Sequence, residues 1–270
     1  MYKEFYQLRE NPFNITADPH FFFTSAGHEE AFSHLRYGIK QRKGILLITG
    51  EIGTGKTILC KKLLNHLDDK TKTALVLNPS FSDVQLLRFI INDFGIQGKL
   101  RNKFELINAL NQFLLQETQK GNNVVLVIDE CQNLKTQQLE QIRLLSNLET
   151  TKEKLLQIIL VGQPELYDKL KLNALRQLNQ RIAVRYILKP LSREETERYI
   201  SFRINRSKLH PLEQTRATFT KQAINAIFEQ SQGTPRMINI LCDRALLAGF
   251  ASELTTLDHQ IIQYCIAEVV

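Results

Sequence analysis

Eight consecutive residues carry the clearest chemistry in the chain: Gly50-Glu51-Ile52-Gly53-Thr54-Gly55-Lys56-Thr57. They fit the pattern G-x-x-x-x-G-K-[ST] and lie between an apolar run and a helical pattern, the context that gives the pattern meaning. Glycines let the backbone curl so that successive N–H groups point inward at phosphate oxygens. The helix that opens near Lys56 adds its positive end. Lys56 would reach the β- and γ-phosphates of a bound nucleotide, and the Thr57 hydroxyl would ligate Mg²⁺.

A second group is Asp129-Glu130, which ends the apolar run 124–128. The C-terminal edge of a strand is where open α/β sheets bind ligands. Asp129 would hold Mg²⁺ through water and Glu130 would orient and deprotonate an attacking water. Gln163 closes the run 157–161 in a similar way. It would touch a γ-phosphate or the water, or else cap the helix that opens at Pro164. Asn78, after the run 73–77, would hold Glu130 in an idle rotamer. The stretch Lys169, Lys171, Arg176, Arg181, Arg185, Lys189 contains no acid. One of its arginines, Arg181 before Arg176, would stabilise transition-state charge in a neighbouring subunit's site. The alternatives are a solvated basic face or a binding strip for nucleic-acid phosphates. Arg236, in Gly233-Thr234-Pro235-Arg236, would reach a γ-phosphate from the start of a C-terminal helix.

These residues need a scaffold, and the chain supplies one. Apolar runs at 45–49, 73–77, 124–128, 157–161 and 184–188 are hydrophobic almost throughout, as expected of strands covered on both faces. Helical patterns lie between them: residues 56–67, a helix capped by Ser82 or Asp83, one around Phe104 to Leu114, and 136–148. Such alternation predicts βαβ crossovers and a parallel sheet. After Lys189-Pro190 no strand-like run remains. Helices are expected from Ser192 (with Glu195 in a capping box), over 220–231, over 235–251 and over 256–267. The expected division is an α/β core at 1–190 followed by a small all-helical piece at 191–270.

Composition is that of a globular protein: 43% apolar and 23% charged residues exclude disordered and collagen-like classes. No apolar run approaches the roughly 18 residues of a membrane span. The N-terminus lacks a basic-then-apolar signal layout. A cytoplasmic protein is therefore expected, meeting a membrane only through a partner. Cys60, Cys131, Cys242 and Cys265 lack metal or redox-pair spacing and read as reduced, buried thiols. The net charge of +7 lies entirely in 1–190, because 191–270 holds nine basic and nine acidic groups. This excess permits nucleic-acid binding without requiring it.

Taken in order, the glycine loop, Asp129-Glu130, Gln163, the basic stretch and Arg236 resemble the Walker A, Walker B, sensor 1, arginine finger and sensor 2 of AAA+ ATPases. The N-terminal run Phe5-Tyr6-Gln7-Leu8-Arg9-Glu10-Asn11-Pro12-Phe13, with Asp18-Pro19-His20-Phe21-Phe22 and His28-Glu29-Glu30-Ala31, is similar to the opening of the ExeA-type family. That family includes general secretion pathway protein A and an ATPase of mannose-sensitive pilus biogenesis. The segments Asp129-Glu130-Cys131-Gln132-Asn133-Leu134 and Val161-Gly162-Gln163-Pro164 fit it too. The resemblance implies a P-loop core with five parallel strands in the order 5-1-4-3-2 and a helical lid. It implies ATP and Mg²⁺ at the core–lid junction, with Phe22, Phe23 or Tyr37 as adenine contacts or plain core aromatics. It also implies nucleotide-dependent homo-oligomers and partners in a secretion or pilus complex, with nucleic acid the less favoured partner of a transposition-helper type. Longer family members carry a membrane span and a peptidoglycan-binding region; this sequence shows neither, so no direct span is expected.

Overall fold

The computed structural model describes residues 1–16, 18–77, 79, 82–151, 153–209 and 216–269. In its first half the elements are α1 (Tyr2–Tyr6), α2 (Ala26–Lys40), β1 (Ile45–Gly50), α3 (Lys56–Asn65), β2 (Thr71–Val76), α4 (Asp83–Asp93), α5 (Lys103–Gln119) and β3 (Asn123–Ile128). There follow α6 (Thr136–Leu145), β4 (Gln157–Gly162), α7 (Glu165–Leu170), α8 (Arg176–Arg181), β5 (Ile182–Leu188), α9 (Arg193–Arg206), β6 (Thr218–Phe219), α10 (Lys221–Ser231), α11 (Pro235–Ala251), β7 (Thr256–Leu257) and α12 (His259–Val269). They form two compact units. One comprises Gly27–Gly50 and Leu59–Leu188; the other comprises Met1–Ala26, Glu51–Ile58 and Lys189–Val270.

The first unit is built on one parallel sheet in the order β2-β3-β4-β1-β5, the expected order read from the opposite edge. The inner strands β1 and β4 are buried along their whole length, and β3 from its second residue. That is why their sequences are almost unbroken Ile, Leu and Val. The edge strands β2 and β5 alternate buried with more exposed positions. Consequently β2 starts at Thr71, ahead of its apolar run: Thr71 and Lys72 extend the ladder opposite Asn123 and Val124. One core cluster joins Leu47, Leu126 and Leu160 of the sheet to Leu87 and Ile90 of α4, Leu110 of α5 and Ile142 of α6. Ser82 and Gln85 form the capping box that starts α4.

In the second unit, α10 packs on α12, and α11 packs on α1, α9, α10 and α12. The capping box of Ser192 with Glu195 opens α9 as expected. Its core gathers Tyr6, Leu8 and Phe13 with Ile200, Ile227, Leu241 and Leu246. Arg203 of α9 is buried, and its guanidinium donates to the main-chain carbonyls of Pro12, Phe21 and Asn14. It also lies 4.6 Å from the centre of the Phe21 ring. Burial pushes the Arg203 pKa down from its ordinary value. The N-terminal segment is thus packed with the helices of residues 189–269, although in sequence it precedes the sheet.

This unit is not wholly helical. Thr218–Phe219 and Thr256–Leu257 pair as two-residue parallel strands. The expected helix from 256 therefore starts later, at His259, where the Asp258 carboxylate accepts the Gln260 and Ile261 N–H groups. Two-residue strands are too short to leave a period-2 pattern in sequence. Among the described residues no helix is long and apolar enough to cross a membrane.

Candidate functional site

The sheet explains where the functional residues emerge. Parallel strands share one C-terminal edge, and β4 lies between β3 and β1, with Ile128 opposite Leu160 and Thr49 opposite Gly162. The segments that leave these strands therefore begin side by side: the glycine loop after β1, Asp129-Glu130 after β3 and Gln163 after β4.

Within the loop, Gly53 and Gly55 adopt φ of +80° and +96°, a region that side-chain-bearing residues avoid. Gly53 is also closely approached: a Cβ there would sit 2.5 Å from Cβ of Arg236 and 3.2 Å from Cγ2 of Thr234. The Arg236 N–H points at the Gly53 carbonyl, 3.4 Å away. Thus the expected sensor arginine, at the N-terminal turn of α11, lies against the loop. Lys56 is only 6% exposed, and its ammonium donates to the Glu51 carbonyl at 2.8 Å. Thr54 Oγ1 donates to the same carbonyl at 2.8 Å. Lysine is rarely this buried unless paired or poised for an anion. Left-handed glycines, a buried cation and a helix start make a donor set that fits a polyphosphate.

After β3, Asp129 is buried, and its Oδ1 accepts the Glu130 N–H at 2.8 Å. Glu130 has φ 53° and ψ 39°. Its Oε2 accepts from the side-chain amides of Gln132 and, at 3.2 Å, Gln163. The Gln163 N–H donates to Oε1 of Gln132 at 3.1 Å. The carbonyls of Gln132 and Leu134 accept from Lys169 Nζ at 2.6 and 2.7 Å. Cys131, inside this turn, donates its thiol to the Ile128 carbonyl at 3.0 Å. Burial pushes that thiol well above the ordinary range, which makes it a packing residue and not a nucleophile. Among the described residues no group of three or more His, Cys, Asp or Glu could hold a metal unaided. By donor type, the hydroxyl of Thr57 and the carboxylate of Asp129 are each oxygen ligands of the kind Mg²⁺ takes.

The remaining candidates divide. Arg181, at the end of α8, donates to Oδ1 of Asn147 and, at 3.4 Å, to Oγ of Ser146, beyond α6. Arg176 begins the same helix. Lys171 pairs with Asp168 at 2.8 Å, and Arg185 bonds Asn179. Phe23 packs edge-on against Tyr199 and tilted against Phe202, each at 5.7 Å. Tyr37 is 56% exposed, with the Lys43 ammonium 5.9 Å from its ring. Phe22 is partly buried. Asn78 lies outside the described residues. Sequence reading missed Gln132 and the carbonyl-binding role of Lys169. Gln132 stands two residues after Glu130, but nothing local marks it as that residue's partner.

The parallel sheet and its glycine loop define a P-loop protein of the AAA+ class. An AAA domain model matches residues 39–170. General secretion pathway protein A of Aeromonas hydrophila is 40% identical over 274 residues, which takes in 100% of this chain and 48% of that protein. The chain thus spans about half the length of that relative. It belongs to the ExeA-type family of AAA+ ATPases. Solved structures agree in fold. The Aeropyrum pernix ORC2 protein, in ADPNP–ADP complexes, superimposes with a TM-score of 0.67 at 16% identity, over 96% of this chain and 71% of that one. Cdc6p of Pyrobaculum aerophilum gives 0.68 at 16% identity over 94% and 71%. The Thermotoga maritima RuvB Holliday junction branch migration motor gives 0.53 at 15% identity over 92% and 73%. At such identities the likeness is one of fold alone.

Proposed function

We propose that this protein binds and hydrolyses ATP with Mg²⁺, and that it serves as an assembly or regulatory ATPase of a secretion or pilus system. The observation that carries the proposal is the buried Lys56 in its left-handed glycine loop. The residues Gly50, Glu51, Ile52, Gly53, Thr54 and Gly55 would wrap the phosphates, with Lys56 and Arg236 supplying positive charge. Thr57 and Asp129 would hold Mg²⁺, which when bound neutralises charge on the phosphate oxygens. Glu130 would take the proton of the attacking water, Gln163 would touch the γ-phosphate or that water, and Asn78 would hold Glu130 in an idle rotamer until a partner binds. Arg181 would act on the nucleotide of a neighbouring copy in a homo-oligomer. The division at about residue 190 is the proposed start of the lid, and the protein is proposed to work on the cytoplasmic side through membrane-complex partners.

The kinship with general secretion pathway protein A supports the secretion side of this reading. A DNA-tracking role is the less favoured reading, in which the basic stretch would meet nucleic-acid phosphates.

Two variants test the proposal. Lys56→Ala should lose ATP binding; wild-type affinity in that variant would sink the phosphate-loop assignment. Glu130→Gln should bind ATP and turn over at least ~10²-fold more slowly. Steady-state ATPase against protein concentration, with and without duplex DNA, separates the roles. A steep rise without a DNA effect supports an oligomeric assembly factor. Several-fold DNA stimulation that vanishes at high salt favours the DNA-binding role.

A further inference from the structure

Glu130 is held in a backbone conformation that L-residues avoid. The left-handed region costs about 1–2 kcal/mol for a residue with a Cβ. It persists only where the surroundings over-determine it, and such residues cluster at functional sites. Here the Glu130 N–H donates to Asp129 Oδ1 and its carbonyl accepts the Asn133 N–H at 2.9 Å. The side chain is held as firmly: both amide donors, from Gln132 and Gln163, address the single oxygen Oε2. That arrangement orients the second carboxylate oxygen as well.

Gln132 links these contacts. Its Nε2 donates to Glu130, and its Oε1 accepts the main-chain N–H of Gln163 at the end of β4. Space for this link exists because residue 162 is glycine: a Cβ there would lie 3.1 Å from Gln132 Oε1 and 2.7 Å from Leu166 Cδ2. The main chain of Gln132 is anchored separately, through Lys169. That anchor does not depend on the side-chain amide. Gln163 is a candidate phosphate sensor, and its side-chain amide cannot serve Glu130 and a phosphate with equal effect. The bond from Gln132 draws on no such sensor.

We infer that Gln132 is a positioning residue for Glu130: its amide ties the carboxylate to the end of β4 and keeps it oriented when the Gln163 amide turns to another acceptor. The inference rests on the reading of Glu130 as the base in ATP hydrolysis.

The test uses the full chain. Gln132→Met keeps the volume and removes both amide groups. Steady-state kcat and KM are measured together with the Kd of a fluorescent, non-hydrolysable ATP analogue. The expected result is a fall in kcat of about 10- to 100-fold, the scale of a lost hydrogen bond to a charged group, with KM and Kd within about twofold of wild type. In the Glu130→Gln background the same change should slow turnover by less than about twofold, because the carboxylate it positions is gone. Lys169→Met, which frees the carbonyl of Gln132, guards against a folding defect in Gln132→Met and should also lower kcat while leaving Kd unchanged. Wild-type kcat in Gln132→Met would overturn the inference, as would an undiminished effect of Gln132→Met in the Glu130→Gln background. A Glu130→Gln protein that hydrolyses ATP at the wild-type rate overturns instead the assignment of the base itself.

Discussion

The contact between Gly53 and Arg236 yields a prediction whose size can be worked out. In Gly53→Ala the new Cβ must adopt φ near +80° and meet the Arg236 Cβ at 2.5 Å. The left-handed backbone costs about 1–2 kcal/mol for alanine. Overpacking adds about 1–3 kcal/mol, because the obstacle is a Cβ fixed to helix α11 and not the far end of a flexible chain. The lower entropy of the unfolded alanine chain returns about 0.4–1 kcal/mol. The net loss is about 1–4.6 kcal/mol, a substantial part of a typical folding stability of about 5–15 kcal/mol. For a chain of this size it corresponds to roughly 3–14 °C in Tm. ATP should also bind at least about tenfold more weakly, since the loop can no longer curl as it does here. The assays are thermal unfolding, with and without Mg²⁺-ATP, and titration of a labelled nucleotide. Arg236→Gly removes the opposing Cβ, so the double variant should recover the packing part, about 1–3 kcal/mol, but not the backbone part. A Gly53→Ala protein that melts within about 1 °C of wild type and binds ATP normally would refute the reasoning. So would a coupling energy near zero, which would show that the loop and α11 are not in contact in solution.

Arg181→Ala should bind ATP as wild type does and lose hydrolysis by roughly 10³-fold or more. Mixing it with Lys56→Ala should restore part of the rate if the arginine acts in trans, and no recovery at any ratio would count against that assignment. Glu117 gives a pH dependence. It is buried, and its carboxylate accepts from Lys120 Nζ at 2.6 Å and from the Asn122 amide at 2.7 Å. The bond from Lys120 is the largest of the causes that hold its pKa below the ordinary value. A depressed folded pKa contributes stability above the unfolded pKa, and that stability is lost as pH falls through the folded value. Glu117→Gln should therefore cost about 1–3 kcal/mol near pH 7, and the gap should close in acid. A gap that stays constant across that range in thermal melts would show that the carboxylate is not the source.

What the sequence determined by itself is what can be encoded over a few consecutive residues. A phosphate loop is such a feature: it is recognised by its own backbone, so Gly50 to Thr57 announce it without the rest of the molecule. The inner strands are equally legible, because burial on both faces demands unbroken apolar runs. The capping boxes at Ser82 and Ser192 are local too. The family resemblance supplied the strand order and lid, which no local pattern carries. The edges of the sheet blurred because polar residues such as Thr71 and Lys72 continue a ladder without a hydrophobic signal. Only the tertiary structure decided which residues meet across the chain. Gln132 reaches Gln163 over a separation of 31 residues, and Arg203 takes the carbonyl of Pro12 over 191. Arg236 likewise comes to rest on Gly53. Side-chain amides and guanidinium groups are exposed in most sequences and accept many partners. Their roles here follow from the close packing of strand ends and helix starts, which no periodicity in the chain records.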